Sequence, residues 1–134
     1  MDLALSGFYN GLNFHRVVTG YVIQGGSGDN TCNCPTDFAI KGEFAANGID
    51  TGLTHERGAI SMARDDDFDS AGTQFFIVHQ DAHKLDGKYA AFGKMLDGFE
   101  VLDRIAGVPT AGPEEENRPL EPVVIKQIRI IGSG

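Results

Sequence analysis

No run of about 18 apolar residues occurs anywhere in the chain, so no segment is long and greasy enough to cross a bilayer as a helix. Cysteine is scarce. Only Cys32 and Cys34 are present, and a disulfide across one intervening residue is strained, which excludes a disulfide framework. Positive charge is also short: 11 Lys and Arg stand against 19 Asp and Glu, for a net charge of -8. That balance opposes nucleic-acid phosphates and anionic membrane surfaces alike. The segment Met1–Gly7 lacks the basic start and apolar run of a signal peptide, and no Asn-x-Ser/Thr acceptor occurs. A cytoplasmic protein is the expectation. Gly-x-Ser-x-Gly, Walker and dinucleotide fingerprints are missing too, which leaves no nucleophile elbow and no phosphate cradle.

What is present suits one small domain. The chain has 134 residues, of which 41% are hydrophobic, enough for a single core. Its 18 glycines follow no collagen-like period, and they favour short strands joined by tight turns. The spacing predicts the end of a helix over residues 1–9 and strands at 13–18 and 21–24. Further strands are expected at Ala59–Ala63, Phe75–Val78, Ala91–Met95 and Val123–Ile131. Phe99, Leu102 and Ile105 recur at helical spacing within Asp97–Ala106, and Gly107 suits a C-cap. Residues 25–56 form a long glycine-punctuated stretch, and 109–122 a Pro/Glu-rich loop. Strands outnumber helices, so the fold class is mainly β, an antiparallel sheet closed as a barrel.

Chemistry concentrates in two strands. Phe14-His15-Arg16-Val17-Val18 sets one arginine among apolar neighbours, and Tyr21-Val22-Ile23-Gln24-Gly25-Gly26 follows it. Arginine is mostly a surface residue, but strand alternation puts Phe14, Arg16 and Val18 on one face, which points to a pocket. Gln24 and Gln74 can each donate to and accept from a peptide backbone, although either could simply cap a strand end. Phe75 and Phe76 must face opposite ways. Asp65, Asp66, Asp67 and Asp69 suggest calcium, but Ser70 replaces the required glycine and Phe76 the bidentate glutamate, so a solvated loop is favoured. Cys32 and Cys34 could hold a metal, yet His15, His55, His79 and His83 show no ligand spacing, so no metal or cofactor is expected.

Several longer motifs, in order, resemble the cyclophilin family of peptidyl-prolyl cis-trans isomerases, in a style close to its bacterial members. They are Phe14–Val18 with Gly20–Gly26, Lys41-Gly42-Glu43-Phe44, Arg57–Ala63, Ser70–Ile77, and Leu85-Asp86-Gly87-Lys88-Tyr89-Ala90-Ala91-Phe92-Gly93. The resemblance runs from about Phe8 to the final strand. It implies an antiparallel barrel capped by two helices, and an enzyme that accelerates rotation of X-Pro peptide bonds in unfolded or flexible proteins. It implies Arg16 as the catalytic residue, with Tyr21, Val22, Phe76 and Leu85 lining the proline pocket. Gln24 then orients Arg16, while Ala63, Arg64 and Gln74 hold residues preceding proline and Tyr89 closes the rim.

Four features depart from that pattern. Tyr89 stands where many members have histidine, and Tyr21 where many have phenylalanine. Lys84 stands where the family commonly has an aromatic residue, often tryptophan, and this chain has no tryptophan at all. Weak binding of cyclosporin-type ligands follows as an expectation. The family's first two strands should precede Leu3, so the chain reads as a single domain, 1–134, N-terminally truncated relative to the family. That leaves Val123–Ile131 with an open edge. A proline-peptide binding module with weak turnover, and a metal-responsive protein using Cys32 and Cys34, are the competing readings. The first shares the pocket and differs only in turnover.

Overall fold

A computed structural model describes residues 6–27, 54–64, 72–115 and 117–131. Five strands follow in chain order: β1 (Arg16–Val18), β2 (Val22–Gly25), β3 (Ala59–Met62), β4 (Phe75–Val78) and β5 (Ala91–Lys94). They form one antiparallel sheet in the order β1-β2-β4-β3-β5. One α-helix, α1 (Phe99–Ala106), and short 3₁₀ turns at His83–Leu85 and Pro113–Glu115 complete the described elements. All five strands are short and rich in β-branched, aromatic or small residues, which suits a pleated surface buried on at least one side.

Register sorts the side chains. Val17, Ile23, Ile77 and Ile60 are paired across four strands. Directly opposed residues share a face, so these project to the side that α1 covers. There Val17, Ile23, Leu102 and Ala106 form a buried cluster with Phe14, Ile77, Phe99 and Ile105 packed against it. The helical spacing of Phe99, Leu102 and Ile105 is thus a core stripe. Fully burying a side chain such as Leu102 contributes about 1.5–3 kcal/mol. Gly98, at φ 86, turns the chain into α1, and the Gly107 N–H closes it on the Asp103 carbonyl.

The helix is clamped to the sheet by a polar bridge as well. Arg57 donates to both carboxylate oxygens of Asp103, at 2.7 and 2.9 Å. His79 Nδ1 accepts from the Gly20 N–H at 2.9 Å, so its Nε2 carries the proton and donates to Asp103 at 3.0 Å. The Arg57 hydrogen bonds, foremost, and the one from His79 hold the Asp103 carboxyl below its usual range, against an opposing effect of partial burial. A carboxylate with a depressed folded pKa stabilises above its unfolded pKa of about 4, and that stability is lost as pH falls through the folded value. Asp103→Asn is therefore expected to lower the melting temperature at neutral pH. Its gap from the parent should narrow as the pH is taken below the carboxylate range, and a gap constant across pH in thermal melts would remove the clamp from the account.

Three expectations need correction. Val123–Ile131 is not a strand. Val124 makes an isolated antiparallel bridge with Asn13, supported by bonds from Gly11 N to Ile125 O, Ile125 N to Leu12 O and Phe14 N to Val123 O. Beyond that bridge, residues 126–131 belong to no strand, and Ile131 is 85% exposed. A strand needs a neighbour in register, and apolar content alone does not supply one. The sheet accordingly stays open among the described residues. Second, β1 begins at Arg16 rather than at residue 13, so alternation does not reach back to Phe14. Phe14 packs with the Val17 cluster instead of beside Arg16. Third, of the helical end expected over 1–9, residues 6–9 are turns that continue through Gly11, and 1–5 lie outside the described residues. The same is true of Cys32, Cys34, the Lys41–Phe44 motif and the acidic loop 65–71.

Candidate active site

The opposite face of the sheet carries a lateral row of functional groups. Arg16 pairs with Gln24, Gln24 with Phe76, and Phe76 with Ser61. A cation, an amide, an aromatic ring and a hydroxyl from four strands therefore stand side by side, though up to 60 residues apart in sequence. Around Phe76 lies an apolar cluster of Val22, Ala59, Val78, Ala82 and Leu85, with Tyr21, Ala63 and Tyr89 packed at its edge.

Above this row opens a cleft of about 500 Å³. Arg16, Gln24 and Arg64 supply its polar lining, and Tyr21, Val22, Ala63, Phe76, Leu85 and Tyr89 its apolar lining. Every candidate residue but Gln74 is on that wall. Gln74 reaches that wall through a hydrogen bond: Gln24 Nε2 donates to Gln74 Oε1 at 2.9 Å, and Arg16 Nη1 donates to Gln24 Oε1 at 3.2 Å. The relay settles which end of the Gln24 amide faces the guanidinium, because its NH₂ is committed to Gln74. One of the five guanidinium N–H groups thus holds Arg16 in place. Burial first, and then the neighbouring Tyr89, push the Tyr21 phenol above its ordinary value, while Arg16 works the other way. Tyr21 therefore stays a neutral hydrogen-bonding group at working pH.

The close approach of strand ends explains one glycine. Gly26 has φ 90, and a Cβ there would lie 2.7 Å from the Thr73 carbonyl oxygen and 2.9 Å from the Tyr9 ring. Tyr9 donates its hydroxyl to that same carbonyl and meets the Phe75 ring edge-on. Phe75 thus packs away from the cleft that Phe76 floors, as alternation requires.

Residues that the sequence did not single out support and extend the site. His55, 1% exposed, stacks on Phe76 with ring centroids 5.8 Å apart. Its Nδ1 donates to Asp86 Oδ1 at 2.9 Å, so Nε2 accepts from the Ser61 hydroxyl at 2.9 Å. The Asp86 carboxylate also accepts from the His55 backbone N–H and from His83 Nδ1. Partial burial works against that charge, but these bonds overcome it and hold the carboxyl below its usual range. Ser61 and Asp86 lie inside quoted motifs, and the missing signal was that both meet His55. Pro113 and Asn117 add a further wall from the loop after α1. Asn117, at φ 54, accepts from the Val17 N–H at 3.0 Å, which pins that loop against β1.

Together these features define a class: a cleft with an apolar floor, a guanidinium held beside it and amide groups able to pair with a peptide backbone. Among the described residues, no group of three or more His, Cys, Asp or Glu is placed to hold a metal, and no helix is long and apolar enough to cross a membrane. Residues 1–130 match the family model for cyclophilin type peptidyl-prolyl cis-trans isomerase/CLD. Peptidyl-prolyl cis-trans isomerase A of Dickeya dadantii is 42% identical over 98% of this chain, which spans 70% of that relative. The peptidyl-prolyl cis-trans isomerase of Acinetobacter baylyi is 42% identical over 92% of this chain, and 66% of its own length is spanned. A crystal structure of a cyclophilin type peptidyl-prolyl cis-trans isomerase from Cryptosporidium parvum, in the presence of the dipeptide Ala-Pro, superposes with a TM-score of 0.86 at 30% identity, covering 98% of this chain and 82% of that one. The chain belongs to the cyclophilin-type peptidyl-prolyl cis-trans isomerases, enzymes that speed rotation about X-Pro bonds.

Proposed function

We propose that this chain turns X-Pro bonds in the cleft above Phe76, with Arg16 as the catalytic residue and unfolded or flexible segments as substrates. The observation that carries this reading is the fixed Arg16–Gln24–Gln74 relay beside an apolar floor. Rotation about a peptide bond meets a barrier of about 18–20 kcal/mol because the C–N bond is partly double. Twisting the bond pyramidalises the prolyl nitrogen and gives it a lone pair. A guanidinium N–H can donate to that lone pair in the twisted state only, and it stays charged at every working pH.

A thousandfold acceleration requires about 4 kcal/mol off the barrier. One charge-assisted hydrogen bond contributes about 1.5–3 kcal/mol. The remainder falls to the walls. Phe76, Leu85 and Val22 grip the ring and exclude water, while the carbonyl before proline turns. On this reading Ala63, Arg64 and Gln74 hold the residues preceding proline, and Tyr89, whose ring meets Phe76 edge-on, closes the rim. Lys84 in place of an aromatic residue keeps affinity for cyclosporin-type ligands low on this reading.

Exchange spectroscopy on a short Ala-Pro peptide tests the proposal. Cross-peaks between cis and trans resonances, growing with protein concentration, are expected. Peak shifts without exchange would leave a binding module in its place.

A further inference from the structure

The described lining of the cleft is cationic although the chain is acidic. None of its described lining residues is Asp or Glu, whereas Arg16 and Arg64 both line it. A third cation stands at the lip. Lys84, exposed in the 3₁₀ turn that delivers Leu85 to the floor, places its ammonium 4.4 Å from the centre of the Tyr21 ring. Across the opening Arg64 stacks its guanidinium 4.5 Å from the Tyr89 ring and donates to the Lys88 carbonyl. Each of these cations lies over an aromatic ring that itself lines the cleft. The described acids beside the Lys84 turn accept other hydrogen bonds: Asp86 from His55 and His83, and Asp81 from the Arg57 backbone N–H. On the loop across from it, Glu115 pairs with Arg118.

We propose that Lys84 is a specificity-determining residue, selecting proline peptides that carry an Asp or Glu carboxylate next to the proline. The inference rests on the isomerase reading of the cleft. With a proline ring on the Phe76 floor, a flanking side chain passes the lip, where the ammonium is held at the right height by Tyr21. An aromatic residue at position 84 offers only apolar area there; an ammonium offers a charge. Exposed ion pairs of this kind contribute about 0.2–1 kcal/mol, so the preference is about 1.4- to fivefold. It should fade in strong salt, where the screening length falls to about 3 Å at 1 M. The overall negative charge of the chain repels acidic peptides from afar, so the informative quantity is a ratio between variants.

Isomerisation rates for matched peptides with Glu, Gln or Lys on either side of proline, with the parent chain, Lys84→Gln and Lys84→Glu, test this. The parent's kcat/KM ratio of Glu over Gln peptide is expected to exceed that of Lys84→Gln about 1.4- to fivefold at low salt. Lys84→Glu should favour the Lys peptide, and 1 M salt should level all three. Equal ratios in the three proteins overturn the inference while leaving the isomerase reading intact, provided the Gln peptide is turned over. Failure of the parent to turn over the Gln peptide removes both.

Discussion

Arg16→Ala is expected to slow isomerisation of a proline peptide by roughly 10- to 150-fold, the equivalent of one charge-assisted hydrogen bond of about 1.5–3 kcal/mol. The loss should fall on kcat, because the prolyl lone pair that Arg16 meets exists only in the twisted amide. Stability should change little. Arg16 is half-buried at the end of the sheet, and its described side-chain bond is the one to Gln24. Arg16→Lys is the sharper control. It keeps a positive charge but loses the planar fork that lets one N–H hold Gln24 while others face the substrate, so it should recover only part of the rate. Gln74→Ala should act in the same direction more weakly, since it frees the amide that aims Arg16. Near-parental turnover by Arg16→Ala, measured by protease-coupled or exchange assays, would falsify the role given to this residue.

Phe76→Ala is expected to be the most damaging change to the fold. Phe76 is 5% exposed, with His55 stacked on one side and Tyr89 edge-on at 5.8 Å. Truncating a buried aromatic ring costs about 3–5 kcal/mol through lost contacts and the cavity left behind. Domains of this kind hold only about 5–15 kcal/mol in total. The damage should spread sideways, because Gln24 and Ser61 flank Phe76 in the same row and His55 loses the ring that fixes its plane. Phe76→Leu separates the two roles. It refills much of the space, so stability should return in denaturant melts, while turnover stays low for want of a flat surface under the proline ring. If Phe76→Leu instead isomerises as well as the parent, the ring's shape is not what the reaction uses.

Much of this was legible in the sequence, and the reason is local. Alternation within Val22–Gly25 and Phe75–Val78 follows from the two-residue period of a strand, so the opposite facing of Phe75 and Phe76 needs no partner to be read. The core stripe of Phe99, Leu102 and Ile105 is equally a matter of spacing along one segment. Arg16 and Gln24 stand out by residue type within their strands, whereas Tyr21, Val22, Phe76 and Leu85 are given by the resemblance to the family, and the cleft collects all of them. His55 was not legible as a supporting residue, since its value lies in Ser61 and Asp86 meeting it from two other segments. Phe14 was misplaced because alternation was carried past the start of the strand. Val123–Ile131 was read as a strand on apolar content alone, where only Val124 finds a bridge partner.

The amino-acid order by itself determined the inventory: an acidic chain short of cysteine, strand-forming segments punctuated by glycine, one arginine among apolar neighbours, and two amides at strand ends. Only the tertiary structure decided that Arg16, Gln24, Phe76 and Ser61 form a single row, that Pro113 and Asn117 close a wall, and that Lys84 rests on Tyr21. The division is physical. Side-chain period and turn chemistry are properties of neighbours along the chain, whereas register and cleft shape depend on which distant segments pair, and a slip of one residue would send every group in that row to the other face.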